Sequence, residues 1–233
     1  MKNTEFLRAK LIAARGIYNN KDVYENTLEA FKLAIDKDMA IHLSVQTTKD
    51  GVLVVYNDRD LTRLTSLKDQ IETSSYEEIN YLTSYHIPTF REVLTLIDGK
   101  VPIIINPRNG IKKYFLVKEL VEYLDEYQGS FAVINESASI IKWFNKNRPN
   151  YIVGEVISKN HRFRRNLKDL IAHYSIVTDF KSVNLNRHSV RKINALKMTS
   201  TVLGYVIDSQ EKYNEFKGVC DNLFIDNIAE IEL

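Results

Sequence analysis

The segment LIAARG at residues 11–16 ends a short apolar run in an arginine and a glycine, about ten residues ahead of a helix start. This is how a buried strand delivers a side chain to the mouth of a pocket. The side chain delivered is Ala14, whose methyl group can neither transfer a proton nor bind a metal. Arg15 follows, and a guanidinium clasps phosphate in a bidentate fork. A second polar set lies in AIHLSV and VVYND. Only six residues separate Val45 from Val52, too few for a parallel crossover, and Asp50-Gly51 reads as the two-residue tip of a tight hairpin. Paired positions then sum to 101, which sets Ser44 opposite Asn57 and His42 opposite Arg59. His42, Ser44 and Asn57 are expected at one strand end. An imidazole there suits a soft metal such as zinc, although a lone histidine at a strand end is more often packed or hydrogen-bonded.

The remaining reactive residue types form no comparable set. HRFRR at 161–165 is a basic cluster at a helix start, read as a solvated face or a contact for acidic lipid or a partner. His86, His173 and His188 have no acid or cysteine at metal spacing. The chain has no G-x-S-x-G, P-loop or G-x-G-x-x-G, which removes the serine-hydrolase elbow and the common nucleotide motifs. Cys220, the one cysteine, excludes an intrachain disulfide framework and reads as a buried packing residue in a reducing compartment. Tyr18, Tyr24 and Tyr56 flank the presumed mouth, as a pocket floor or as ordinary packing. A net charge of +2 is too mild for nucleic acid. No apolar run approaches a bilayer span, and the N-terminus, charged at Lys2, Glu5, Arg8 and Lys10, has no signal-peptide core. The expectation is a cytoplasmic, unprocessed chain without a transmembrane segment.

These residues need a scaffold, and 233 residues with 44% apolar and 27% charged content provide for one large α/β domain or two small ones. Short apolar runs read as strands at 11–14, 41–45, 52–56, 102–105, 131–134, 152–157, 175–177, 201–207 and 223–225. Amphipathic stretches read as helices at 25–37, 76–82, 90–97, 112–126, 138–145, 164–174, 189–196 and 210–217. Leu28, Ala30, Phe31, Leu33, Ala34 and Ile35 give the first helix a broad apolar face. Strands between such helices predict a parallel sheet. No Pro/Gly-rich linker divides the chain, so a single (β/α)8 barrel over residues 1–233, with a β-hairpin at 41–58, is the expected fold. An open doubly wound sheet is the alternative.

The ordered motifs resemble the glycerophosphodiester phosphodiesterase family, a TIM-barrel family. Its HRG, PENT-plus-leucine, E-x-D, TKDG, V-V-x-H-D, E-x-K and late aspartate landmarks meet AARG at 13–16, YENTLEAF at 24–31, IHLSV at 41–45, TKDG at 48–51, VVYNDRDLTR at 54–63, IIINPR at 103–108 and CDNLFIDN at 220–227. IPTFREVL at 87–94 falls in the same order. The resemblance implies that Ala14 and Asn57 stand at the two catalytic histidine positions. It also implies that His42, Ser44 and Asn106 stand at acidic metal-ligand positions, of which Glu25 alone keeps its acid. Arg15 is retained, as are Gly16, Asn26, Thr27, Asp58, Arg63, Asp221 and Asp226, and Arg108 stands at a lysine position.

Hard Ca²⁺ or Mg²⁺ needs carboxylate oxygen, so the family's metal site is expected to be lost and no cofactor is expected. Without both histidines, general acid–base catalysis loses its partners. The expected function is a catalytically degenerate family member, a pseudoenzyme, binding a small phosphorylated ligand at Arg15 and Arg108, or a protein partner. A homo-oligomer stays open. The bland alternative is that both arginines pair with Glu25 or Asp58 as structural salt bridges. Two other functions compete: an active phosphoric diester hydrolase of glycerophospholipid metabolism with a rearranged site, and a structural barrel without ligand.

Overall fold

The computed structural model describes residues 2–108, 110–157, 176–226 and 231. The contacts divide the chain into two compact units, Ala13–Ser130 and Met1–Ile12 with Phe131–Leu233. The candidate helix at 164–174, the basic cluster at 161–165 and His173 lie outside the described residues.

Strands are β1 (Ile12–Ala14), β2 (Ala40–Thr47), β3 (Leu53–Val55), β4 (Ile103–Pro107), β5 (Phe131–Asn135), β6 (Val153–Ile157), β7 (Phe180–Asn184), β8 (Thr201–Ile207) and β9 (Asn222–Ile225). Described helices are α1 (Phe6–Ala9), α2 (Leu28–Asp36), α3 (Thr62–Thr65), α4 (Tyr76–Leu82), α5 (Phe90–Ile97), α6 (Lys113–Glu126), α7 (Ala138–Asn147), α8 (Val190–Lys197) and α9 (Gln210–Phe216), with a 3-10 turn at Ile71–Thr73. The strand order is β1-β9-β8-β7-β6-β5-β4-β2-β3, with β1 also paired to β2. Set aside β3, and eight strands follow one another in the order of a (β/α)8 barrel. The open doubly wound sheet is therefore excluded.

Three expectations are corrected. Residues 176 and 177 are not strand; the strand lies at Phe180–Asn184. Its burial alternates around Lys181, so its apolar signal is weaker than the run before it. Leu33 is exposed, because α2 buries Ala30, Phe31 and Ala34 on one narrow stripe. The hairpin register is displaced by one. Val45 faces Val55, Gln46 faces Val54 and Thr47 faces Leu53. Thr48 N–H donates to Val52 O at 3.0 Å, leaving Lys49, Asp50 and Gly51 as a three-residue loop with Gly51 at φ 88°. A glycine in the left-handed region at the last loop position is the usual solution for that loop length. Ser44 thus stands opposite Tyr56, whose N–H it accepts at 3.0 Å.

Within the unit of residues 13–130, strand alternation sorts the site residues. On β2, Ile41, Leu43 and Val45 are fully buried, while His42, Ser44 and Gln46 share the other face. β4 pairs with β2 in parallel, with His42 beside Ile104 and Ser44 beside Asn106. Arg108 N–H donates to Val45 O at 2.9 Å, carrying the pairing one step past the strand. The long excursion from β3 to α5 has its own core of Val54, Tyr56, Leu61, Ile71, Ile79 and Ile87. Each such buried aliphatic side chain contributes roughly 1.5–3 kcal/mol, which fixes the segment bearing Asp58 and Arg63. Capping boxes at Ser75/Glu78 and Thr89/Glu92 start α4 and α5.

The other unit holds β5 to β9 in parallel register. Cys220 is buried and free there, and burial pushes its thiol up to about 11. It is a packing residue. Among the described residues no helix is long and apolar enough to cross a membrane.

Candidate functional site

The turn after β1 is built from left-handed residues. Arg15, Gly16 and Asn26 have φ of 67°, 86° and 57°. A Cβ on Gly16 would lie 2.8 Å from the Ala30 backbone, so only glycine lets the turn sit this close to α2. Three backbone bonds fix it: Arg15 N–H to His42 O at 2.7 Å, Asn26 N–H to Arg15 O at 2.9 Å and Ile17 N–H to Ala30 O at 3.0 Å. A non-glycine in this region costs about 1–3 kcal/mol and persists where surrounding structure over-determines it. Ala14 lies just before and is buried.

The turn places Arg15 against Glu25, which is only 2% exposed. Oε1 of Glu25 accepts from Arg15 Nη1 at 3.1 Å and from Arg63 Nη2 at 2.6 Å. Oε2 accepts from Arg15 Nη1 at 2.9 Å, Arg63 Nη1 at 3.0 Å and Asn20 Nδ2 at 3.3 Å. Arg63 also donates through Nε to Asp58 Oδ2 at 2.6 Å. Burial alone would raise the Glu25 pKa, but Arg63's hydrogen bond, the Arg15 and Arg63 charges and the Asn20 bond outweigh it and hold the carboxyl below its ordinary value. The Arg15 guanidinium further lies over the Tyr18 ring, 5.3 Å from its centroid, and Tyr24 stacks on Tyr85 at 4.0 Å. Tyr56 is buried beside Tyr85. The three tyrosines are therefore wall and packing around the Glu25 cluster.

The strand residues adjoin this cluster. Despite the displaced register, Ser44 Oγ donates to Asn57 Oδ1 at 3.2 Å, and Asn57 Nδ2 donates to Asp58 Oδ1 at 3.1 Å. Gln46 Nε2 ties down the carbonyls of Tyr56 and Asp58 at 2.9 and 2.6 Å. Ser44 and Asn57 thus meet as expected, while Asn106 sits beside Ser44 in the sheet. Burial, then the positive charges of Arg15 and Arg108, push His42 from 6.5 to about 3. His42 is a neutral imidazole flanked by two guanidiniums at neutral pH. Arg108 itself is half-buried, and among the described residues its guanidinium has no carboxylate or carbonyl partner.

The expected pair of arginines is therefore present but unequal. Arg15 is paired with Glu25; Arg108 is not paired with a carboxylate among the described residues, and Asp58 is taken by Arg63 rather than by Arg108. Arg63 is the member whose role the sequence reading missed, because its partner lies 38 positions away. Among the described contacts, Arg15 and Arg63 share Glu25, and Arg63 also reaches Asp58. The donor set does not fit a hard divalent cation. A carboxylate offers about four lone-pair sites, and Glu25 already accepts five hydrogen bonds, four of them from guanidiniums. His42, Ser44 and Asn106 add no negative charge. Among the described residues no group of three or more His, Cys, Asp or Glu could hold a metal ion. His188 bonds Asn184 O at 3.0 Å and His86 pairs with Glu92 at 3.0 Å, both as local structure.

The chain is similar to a glycerophosphodiester phosphodiesterase of Caldanaerobacter subterraneus, 35% identical over 144 residues, which are 56% of this chain and 58% of that protein. It spans just over half the length of the curated relatives it matches at this level. Among solved structures, the glycerophosphodiester phosphodiesterase of Thermotoga maritima superposes with a TM-score of 0.75 at 20% identity, covering 94% of this chain and 95% of that one. A phosphodiesterase of Oleispira antarctica in complex with the product sn-glycerol-3-phosphate gives 0.77 at 16% identity, covering 94% and 93%. Both bear out the TIM-barrel fold. The sequence pattern of the glycerophosphoryl diester phosphodiesterase family matches residues 15–228, and the chain belongs to that family.

Proposed function

We propose that this chain is a catalytically degenerate member of its family that binds a small phosphate-bearing ligand at Arg108 and Arg15. One observation carries the reading. The single acid at the family's metal positions, Glu25, is saturated by two guanidiniums, while Arg108 has no carboxylate partner among the described residues and lies beside a neutral His42. Such a mouth favours an anion over a cation. A guanidinium–phosphate bond contributes about 1.5–3 kcal/mol where water is excluded and less near the surface. Arg15 joins the ligand only by exchanging Glu25 for it, so Arg108 is the primary contact. The Oleispira antarctica protein holds sn-glycerol-3-phosphate, which makes that compound the natural probe beside inorganic phosphate.

The hydrolase reading is favoured by the names of the relatives. It requires a proton-transfer pair, and Ala14 and Asn57 supply none near neutral pH. The two readings part on two assays. Glycerophosphocholine with excess Mg²⁺ or Ca²⁺ is expected to turn over no faster than with heat-killed protein; turnover abolished by EDTA would restore the hydrolase. Phosphate at constant ionic strength is expected to raise the melting temperature of the parent, less in Arg15→Gln and least in Arg108→Gln. An equal response in all three would reduce the anion to a general surface effect and leave the barrel without a ligand.

A further inference from the structure

We propose that the start of α6, residues 111–118, docks the chain on the surface of an anionic phospholipid bilayer. The proposal stands apart from the phosphate contact at Arg108. It concerns the outer surface of the next segment, and either can fail without the other.

Three large apolar side chains point outward within five residues. Ile111 is 83% exposed, Tyr114 46% and Phe115 42%. No other five-residue stretch among the described residues exposes three. Single exposed apolar residues are ordinary, whereas a cluster rimmed by polar groups marks a contact surface. α6 does not need these three for its own packing, since Leu116, Val117, Leu120, Val121 and Leu124 already form its buried face. Tyr114 and Phe115 stand one helical turn before the exposed Lys118, which puts all three on the outer side. The backbone that presents them is held. Lys112 Nζ donates to the carbonyls of Thr48 and Lys49 at 3.3 and 2.8 Å, and a Cβ on Gly51 would lie 3.5 Å from the Phe115 ring. The cluster therefore rests against the tip of the β2–β3 hairpin.

The charges select the occupant. Residues 108–118 carry Arg108, Lys112, Lys113 and Lys118 and no acid, while the acids Glu119, Glu122, Asp125 and Glu126 all follow. This order runs against the helix dipole, which favours acids in the first turn and bases in the last. α6 has no acid in its first turn and no base in its last, so helix stability does not account for it. Exposed Lys49 adds another cation from the hairpin tip. Two acids approach the cluster, and backbone N–H groups engage both. Glu72 accepts from Ile111 and Lys112, each at 3.2 Å, and Asp50 accepts from Tyr76 at 3.1 Å. Because Glu72 occupies the end of the helix, side chains rather than the helix terminus carry the docking. Exposed aliphatic and aromatic groups among lysines suit the boundary of headgroups and acyl chains, with the ammonium groups on lipid phosphates. An isologous contact with a second copy would instead set the cations of one copy against those of the other.

Co-sedimentation with vesicles tests the proposal, using phosphatidylcholine alone and an equal mixture of phosphatidylcholine and phosphatidylglycerol. The parent is expected to bind the mixed vesicles, and to bind them less as salt rises. Ile111→Ser together with Tyr114→Ser is expected to weaken that binding about tenfold, and Lys118→Gln about fivefold. If the double variant melts early, Ile111→Ser alone, at the most exposed of the three positions, carries the comparison. Absence of binding to the mixed vesicles overturns the proposal, as does equal binding by the parent and the serine variant. Equal binding to the two kinds of vesicle removes the role of the lysines and overturns it too. Dimerisation of the parent that the serine variant abolishes, without vesicle binding, would assign the cluster to a second copy. Vesicle binding that Arg108→Gln or inorganic phosphate abolishes, and the serine variant keeps, would place the lipid phosphate at the mouth; the docking surface then fails and the anion site stands. Vesicle binding that the serine variant loses, in a parent that phosphate does not stabilise, leaves the docking surface standing and removes the anion site instead.

Discussion

The turn after β1 and the end of β4 each present a guanidinium beside His42, and they treat it in opposite ways. At the turn, Arg15 sits on a left-handed backbone, locked by three main-chain bonds, and faces a carboxylate that a second arginine shares. At the end of β4, Arg108 continues a regular strand and has only its backbone N–H engaged among the described residues. One region combines a left-handed backbone and a buried carboxylate in a charge network. The other leaves a guanidinium without a carboxylate partner among the described residues. The difference teaches that arginines at neighbouring strand ends need not form one subsite: the turn commits its arginine to a charge network, and under the proposed function the arginine after β4 is the primary ligand contact.

The comparison breaks first at Gly16. Gly16→Ala forces a Cβ to 2.8 Å from the Ala30 backbone at a φ of 86°. A loss of about 3 kcal/mol is expected, seen as a lower urea midpoint with unchanged slope. Gly51→Ala, with the same sign of φ but an ordinary 3.5 Å contact to Phe115, is expected to lose about 1 kcal/mol. Equal losses at the two glycines would show that the close approach at the turn does not matter.

Glu25→Gln sharpens the contrast between the arginines. It leaves two guanidiniums facing a neutral amide, and a stability loss of about 2 kcal/mol is expected, discounted because Arg63 is partly exposed. Arg108→Gln is expected to stay within about 0.5 kcal/mol of the parent. If the Arg108 change costs as much as the Glu25 change, the two regions are not different in kind.

The dependence on pH tests the same field from the side of His42. His42 has a folded pKa depressed from 6.5 to about 3, so the unfolded chain binds a proton that the folded chain refuses between those values. Its contribution is fully present above pH 6.5 and is lost as pH falls toward 3, with a slope of up to about 1.4 kcal/mol per pH unit. Glu25, also depressed, adds its own loss below about 4.5, its ordinary value. His42→Gln is therefore expected to flatten the stability curve between pH 6 and 4.5 (about the window where His42 acts alone). An unchanged curve would place His42 outside the field of both arginines.

Much of this was legible in the residues, and the exceptions have physical reasons. The runs PIII at 102–105 and FAVI at 131–134 are continuous apolar stretches, and strands appear there at Ile103–Pro107 and Phe131–Asn135. TFREVLTLI carries its own capping box, so α5 matches to the residue. The strand at Phe180–Asn184 was missed because it alternates polar with apolar, while SIV just before it does not. The hairpin slipped by one because Asp-Gly signals a tip without saying whether Lys49 belongs to it. At the site, the substituted positions could be read directly from the motifs. The Arg63 clamp could not, because it depends on a separately cored excursion folding back over 38 residues onto Glu25.

The most direct test of the account is which ion the mouth takes. Phosphate and Ca²⁺ are titrated separately into the same protein by calorimetry, at constant ionic strength, with Arg108→Gln and Glu25→Gln as controls. The account predicts saturable heat with phosphate that Arg108→Gln abolishes, and no saturable heat with Ca²⁺. Saturable Ca²⁺ binding that Glu25→Gln abolishes would contradict it, because it would mean that the carboxylate gives up its guanidiniums for a metal.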